Sequence, residues 1–336
     1  MEYENVGIIG AGNWGTTLAL YLNAIGVNVT LFEPVEERIE ALRECRENKE
    51  FLPGYEIPAD IIISADPKEL TDKSDFIFFV LPSFALREIA SFFCKYIDKS
   101  KVVVSFTKGV DPDRLQRASE IIEEEIPGQK GEIVAVSGPS IAREVIRKVP
   151  TSLVAASQNI KKAEIVQARL SSEVIRVYTS SDIVGVELGG AFKNVYAIAS
   201  GICDGMELGM NAKAALITRA MSELSLMGEK MGGKSETFGG LSGFGDLIVT
   251  SFSEYSRNRT LGEKLGKGKK LKDILSETLE VVEGVRTTES ICKLSDEYGV
   301  NMPIAWEIYS VLYENKDPFD SMKDLMKREL KKERKK

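Results

Sequence analysis

The stretch VGVELGGAFKNVYAIASG, residues 184–201, is mostly small and apolar, yet it carries Lys193 and Asn194 in its middle. A buried helix has no use for an ammonium group and an amide unless they do chemistry. An ammonium beside a carbonyl donates a proton and stabilises the alkoxide that develops when hydride reaches the carbon. The 336 residues include no histidine, so imidazole is not available for that step. Two other groups suit the same chemistry. Lys108, in SFTKGV, follows a strand-like run and is placed to meet an anion; read alone it is equally a solvated turn lysine. Asp246, in SGFGD, is bracketed by glycines, which let an acid lie close to a ligand. A lysine such as Lys108 near Lys193 would lower the latter's pKa by like-charge repulsion, and burial would lower it further.

Other segments read as anion holders. In SRNR, Arg257 can fork onto a phosphate while Ser256 and Asn258 add hydrogen bonds; the plainer reading is a helix cap with surface arginines. In SGPS, Gly138 exposes backbone and Ser140 can cap a helix beginning near Ile141. GAGNWG supplies Gly10, Gly12, Asn13, Trp14 and Gly15 in a GxGxxG pattern between a strand and a helix. That context marks a dinucleotide site, with glycines for the tight turn and a helix N-terminus for the pyrophosphate. Glu33 closes the next strand, where a carboxylate accepts from both adenosine ribose hydroxyls and repels a 2′-phosphate. This favours NAD over NADP, although a surface glutamate before Pro34 is the alternative. Arg38 is the nearest cation, within reach only if the local helix allows it.

These residues need elements to hold them. Strand-like runs stand at 6–10, 28–33, 61–64, 75–82, 102–106, 133–139, 153–157 and 174–180, separated in the first half by helical patterns. Strands apolar on both faces between helices predict a parallel sheet covered on both sides. From Asp182, a good N-cap, helical segments dominate: 182–203, 211–231, 258–267, 287–298 and 303–315. The expected fold is α/β: an N-terminal Rossmann-like doubly wound sheet, then an all-α C-terminal domain. Residues 1–180 are expected to bind dinucleotide and residues 181–336 to bind substrate and carry the catalysis.

Composition limits the rest. A net charge of −7 argues against nucleic-acid binding, and no apolar run reaches a membrane span. The four cysteines are scattered and lack histidine neighbours, which removes the usual zinc ligand sets and fits a reducing, cytoplasmic setting.

In chain order, GAGNWGT, VLPS, TKG, SGPS, VGVELGGAFKN, MNAKAALITR, GLSGFGDLIVT, SRNR, VVEGVRT and MPI resemble the bacterial-type NAD(P)-dependent sn-glycerol-3-phosphate dehydrogenases. The resemblance runs over nearly the whole chain. It implies interconversion of dihydroxyacetone phosphate and glycerol 3-phosphate, feeding phospholipid synthesis, in a homodimer. It makes Lys193 the proton donor and acceptor. Lys108, Gly138, Ser140, Asp246, Ser256, Arg257 and Asn258 become substrate contacts, with Asn194 and Asp246 orienting Lys193 and holding substrate hydroxyls. It adds Ala142, Val281 and Glu283 as cofactor contacts, with Lys108 and Arg257 shared between cofactor and substrate. The chain departs from the family at Asn13, often Ser, and at Glu33–Pro34, often a basic or aromatic pair; the second departure again favours NAD. Another hydroxyacid or sugar-phosphate dehydrogenase would explain the Lys–Asn pair, but the SRNR phosphate clamp less specifically. A non-catalytic dinucleotide sensor would need no such set of lysines and acid.

Overall fold

A computed structural model of the chain describes residues 4–278, 281–330 and 332–333. All eight anticipated strands form: β1 (Asn5–Ile9), β2 (Asn28–Phe32), β3 (Ile62–Ser64), β4 (Phe76–Phe79), β5 (Val102–Ser105), β6 (Val134–Ser137), β7 (Thr151–Ala156) and β8 (Ile175–Ser180). They make one sheet in the order β3-β2-β1-β4-β5-β6-β7-β8. The first six are parallel in the dinucleotide-binding order. The expectation of an all-parallel sheet fails at its end, where β7 runs antiparallel to β6 and β8 follows β7. The link between β6 and β7 holds only a five-residue helix, too short to carry the chain back along the sheet for a parallel crossover.

Helices α1 (Asn13–Ala24), α2 (Glu36–Cys45), α3 (Pro67–Asp72), α4 (Ser83–Phe93), α5 (Ala118–Glu125), α6 (Ala142–Ile146) and α7 (Ile160–Leu170) connect the strands. Alternation along the strands feeds two cores. Ile8, Phe78 and Val104 pack with Leu18 and Leu22 of α1 on one face. Ile9, Phe79 and Val103 pack with Leu86 and Phe93 of α4 and Ile121 of α5 on the other. Removing each such side chain from water contributes about 1.5–3 kcal/mol.

After β8 the chain is helical: α8 (Ile183–Gly205), α9 (Gly209–Lys230), α10 (Ser235–Phe238), a π-helical turn (Leu241–Gly245), α11 (Asp246–Phe252), α12 (Arg257–Gly266), α13 (Leu271–Ser276), α14 (Glu283–Glu297), α15 (Pro303–Tyr313) and α16 (Pro318–Met326). Asp182 caps α8 by accepting from Gly185 N–H at 2.9 Å. α8 is buried nearly all round, as a helix apolar on every face must be. Phe192 and Tyr196 of α8 pack with Leu224 of α9, Leu261 of α12, Ile291 of α14 and Ile308 of α15 in a separate core.

Glycines decide how closely α8 and α12 cross. β-carbons at Gly201 and Gly205 would strike the carbonyl oxygens of Arg259 and Glu263, and β-carbons at Gly262 and Gly266 would strike those of Ile198 and Ile202. The two helices therefore touch backbone to backbone. Buried polar groups tie elements together. Glu187 of α8 accepts from Arg117 Nη1 at 2.5 Å and from Ser119 N–H and Oγ at 2.7 Å each, joining α8 to the start of α5. Glu223 of α9 accepts from Ile304 and Ala305 N–H, at 2.8 and 3.3 Å, and so caps α15. Burial lifts the Glu223 carboxyl to about 7, against the pull of those two N–H groups. Among the described residues no helix is long and apolar enough to cross a membrane.

Candidate active site

The Gly-rich turn has the shape its spacing predicts. Gly10 sits at φ +112°, and a β-carbon there would lie 2.5 Å from Val80 O. At Gly15 a β-carbon would strike Gly10 O, which lets α1 start directly against the turn. Nothing of the protein lies within 4 Å of a β-carbon built at Gly12, the N-cap of α1, and α1 has no side-chain cap. Asn13 Oδ1 is buried without a hydrogen-bond partner. Trp14 packs beside Phe106, ring centres 6.4 Å apart. A bare helix N-terminus behind a glycine cradle fits a dinucleotide pyrophosphate.

Glu33 is buried just beyond β2 and accepts from Val35 N–H at 3.1 Å. Burial pushes its carboxyl up, while that hydrogen bond and Arg38 pull it down. Ala11, Glu33, Arg38, Asn48 and Phe51 line a cleft of about 310 Å³ beside the glycine turn. The first turn of α2 does bring Arg38 to this cleft, where its guanidinium meets Glu50 at 3.0 Å and lies over the Phe51 ring at 5.0 Å. The carboxylate and the cation therefore share one cleft beside the glycine turn.

The second cluster lies past the carboxyl ends of β5 and β6. On α8, a β-carbon at Gly190 would strike Ser137 Oγ and lie 3.5 Å from Lys108 Cγ. A β-carbon at Gly189 would lie 2.9 Å from Ser242 O of the π-helical turn. The small residues bring α8 against both halves, and Lys193 follows one turn later. Lys193 Nζ donates to Asp246 Oδ1 at 3.0 Å and to Thr250 Oγ1 at 2.6 Å. Lys108 Nζ donates to Asp246 Oδ2 at 2.6 Å, to Gly138 O at 3.0 Å and to Ser140 Oγ at 3.3 Å. One carboxylate thus bridges two ammonium groups from different halves of the chain. Asp246 opens α11 directly after the π-helical turn, a geometry that recurs at functional sites.

Burial pushes the Lys193 ammonium down, Asp246 pulls it back up, and Lys108 and then Arg257 push it down again, leaving it at about 8. Burial alone would raise the Asp246 carboxyl, but Lys108 and Lys193 together hold it below the usual carboxylate range. The site therefore keeps an anion between two cations, one of which gives up its proton near neutrality.

Asn194 and Asn258 face each other. Asn258 Nδ2 donates to Asn194 Oδ1 at 2.9 Å, Asn194 Nδ2 donates to Lys108 O at 3.3 Å, and Gly284 N–H donates to Asn258 Oδ1 at 2.9 Å. Ser256 caps α12 by accepting from Arg259 N–H at 3.2 Å, and the exposed Arg257 is that helix's first residue. Ala142 opens α6, two residues past Ser140. Val281 is half-buried before α14, and Glu283 begins that helix with both oxygens bonded to Ser83. Thr250 receives no role of its own from the site patterns in the sequence. Its signal was its spacing: four residues after Asp246 on one helix places the two side chains together.

Family models for the N-terminus and C-terminus of NAD-dependent glycerol-3-phosphate dehydrogenase match residues 5–163 and 182–323. A Bacillus velezensis protein named glycerol-3-phosphate dehydrogenase [NAD(P)+] is 45% identical over 97% of this chain and 94% of its own. One of the same name from Geobacter sulfurreducens is 43% identical over 98% and 99%. The crystal structure of glycerol-3-phosphate dehydrogenase from Coxiella burnetii superposes with a TM-score of 0.92 at 34% identity, covering 97% of this chain and 99% of that one. With the glycine cradle and the lysine pair in place, these matches assign the chain to its family: it belongs to the NAD-dependent glycerol-3-phosphate dehydrogenases, which are oxidoreductases.

Proposed function

We propose that the protein interconverts dihydroxyacetone phosphate and sn-glycerol 3-phosphate, prefers NAD to NADP, and supplies glycerol 3-phosphate for phospholipid synthesis. The observation that carries this reading is the Lys108–Asp246–Lys193 bridge with Arg257 close enough to depress Lys193. Gly10, Gly12, Asn13, Trp14 and Gly15 hold the pyrophosphate end of the dinucleotide and Glu33 its ribose hydroxyls. When bound, that cofactor supplies or takes the hydride.

The chain's own residues do the rest. Arg257, with Ser256 and the first turn of α12, clamps the phosphate, so remote binding energy positions the carbonyl. Gly138 and Ser140 line the same cleft. In the reduction Lys193 gives a proton to the developing alkoxide, and in the oxidation it takes one back. Thr250 and Asp246 fix its direction. Burial, with repulsion from Lys108 added to it, keeps Lys193 acidic enough to release its proton at about pH 8.

Residues 1–180 and 181–336 form the cofactor and substrate halves of this scheme. The four free cysteines fit a cytoplasmic setting, and the homodimer implied by the resemblance is part of the same proposal. The test is oxidation of NADH by the purified protein with dihydroxyacetone phosphate, against NADPH and other hydroxyketone phosphates. Turnover absent with dihydroxyacetone phosphate, or equal with all ketones, would sink the reading.

A further inference from the structure

Helix α14 presents one polar stripe to the other half of the molecule. Glu283, Arg286, Ser290 and Lys293 follow at three- and four-residue spacings, so they lie on one face. Glu283 accepts from Ser83 N–H at 2.9 Å and from Ser83 Oγ at 2.7 Å. The Arg286 guanidinium lies 4.7 Å over the Phe84 ring. Ser290 Oγ donates to Val110 O and Lys293 Nζ to Pro112 O, each at 3.0 Å. All four contacts fall on the start of α4 or on the loop that carries Lys108.

The grip is tightest beside Lys108 itself. Ser83 is buried at the first position of α4, where the helix end favours a carboxylate. A β-carbon at Gly109 would lie 2.6 Å from Ser83 Cβ and 3.0 Å from Glu283 Oε2, so the residue after Lys108 is packed on the pair. From the other side, Gly284 N–H reaches Lys108 O through Asn258 and Asn194. The first turn of α14 thus holds the Lys108 peptide by two routes. The resemblance gives Glu283 to the cofactor, yet both its oxygens are bonded to Ser83.

We propose that Glu283 and Ser83 form a clasp between the two halves that sets the position of Lys108, which makes Glu283 a positioning residue for proton transfer. The inference rests on Lys193 being the proton carrier. Glu283 faces the charges of Arg257 and Arg286, and Lys193 faces Asp246, Lys108, Arg257 and the Thr250 hydroxyl. Loosening the clasp lets Lys108 draw away, which weakens the repulsion acting on Lys193.

The test uses Ser83→Ala, Glu283→Asp and the double variant, all of which keep the charge at position 283. The kcat for ketone reduction is followed against pH, and NADH dissociation constants are measured by fluorescence without substrate. The pH at which reduction fails should move upward by roughly half a unit in each single variant, the effect of a like charge moved a few ångströms. The double variant should shift no further than the larger single one. NADH dissociation constants should stay within about twofold, well under the tenfold that a lost 1.4 kcal/mol contact gives. The proposal is overturned if the pH profiles coincide with wild type. It is overturned equally if Glu283→Asp weakens NADH binding while Ser83→Ala does not, since Glu283 would then serve the cofactor directly. The wild-type midpoint itself tests the Lys193 reading, separately from the differences between variants.

Discussion

Lys193 and Asp246 stand 53 positions apart in the chain and meet at 3.0 Å, in a site where they are 7% and 1% exposed. Neither could be buried alone, because an isolated charge in a protein interior is neutralised by a pKa shift instead. Lys108 completes the compensation from the opposite half of the molecule, while burial first and Lys108 second make Lys193 acidic against the pull of Asp246.

Lys193→Ala should fold and lose about 10²–10⁴-fold in kcat, the range that positioned acid–base groups supply. Circular dichroism checks the fold, and NADH oxidation with dihydroxyacetone phosphate reads the rate. A variant with near wild-type kcat would remove Lys193 from the mechanism.

The pH dependence should have opposite signs in the two directions. With Lys193 at about 8, kcat for reduction, which needs the ammonium, should fall as pH rises through that value. The kcat for oxidation, which needs the amine, should rise through it. The same shift bears on stability. The folded pKa lies below the unfolded one, so the unfolded chain binds more protons between the two, and this group's contribution to stability rises with pH from about 8 towards the ordinary lysine value. Forward and reverse pH profiles, with urea titrations at each pH, check both signs.

Glu33→Ala and Glu33→Arg should raise the ratio of kcat/KM for NADPH over NADH by about tenfold or more, the effect of 1.4 kcal/mol. Arg38, already in the same cleft, becomes a partner for the 2′-phosphate once the carboxylate is gone. An unchanged ratio would reject the discriminating role of Glu33.

Arg257→Lys keeps the charge but loses the planar fork. It should raise the KM for dihydroxyacetone phosphate by about 10- to 100-fold, with a smaller fall in kcat. Initial-rate kinetics against substrate concentration separate the two. A fall in kcat alone would move Arg257 from phosphate binding to the chemical step.

Arg117→Ala should leave the Glu187 carboxylate buried with its ion partner removed and cost about 3–5 kcal/mol, the usual cost of breaking a buried pair. Urea denaturation reads the loss. A change below about 1 kcal/mol would show that Ser119 alone satisfies Glu187.

Apolar runs and turn residues made the strands and the glycine cradle visible in the sequence, because both follow from short-range patterns. Lys193 was visible because a charge stands out in a helix as apolar as α8. Side chains whose partners lie far along the chain were harder to read. Glu187 looks like an ordinary helical glutamate until Arg117 is found 70 positions earlier. Glu223 caps a helix 81 positions later, which no local cap pattern announces. Asn194 and Asn258 could be marked as polar groups near substrate, but not as partners of each other. The reversal at β7 is set by the length of a connection rather than by the strand's own residues.

The close crossing of α8 and α12 has a consequence for substrate choice. Lys193 rides on one helix and Arg257 opens the other, and at their glycines the two main chains are already in contact. No side chain lies between the helices at these glycines to yield, so the separation of the two backbone segments that carry Lys193 and Arg257 acts as a gauge. Under the proposed mechanism that gauge measures the distance from carbonyl to phosphate in the ketone. A substrate one carbon longer between those groups must buckle or misplace its carbonyl, and a larger residue at Gly201 or Gly262 would reset the gauge rather than merely loosen the fold.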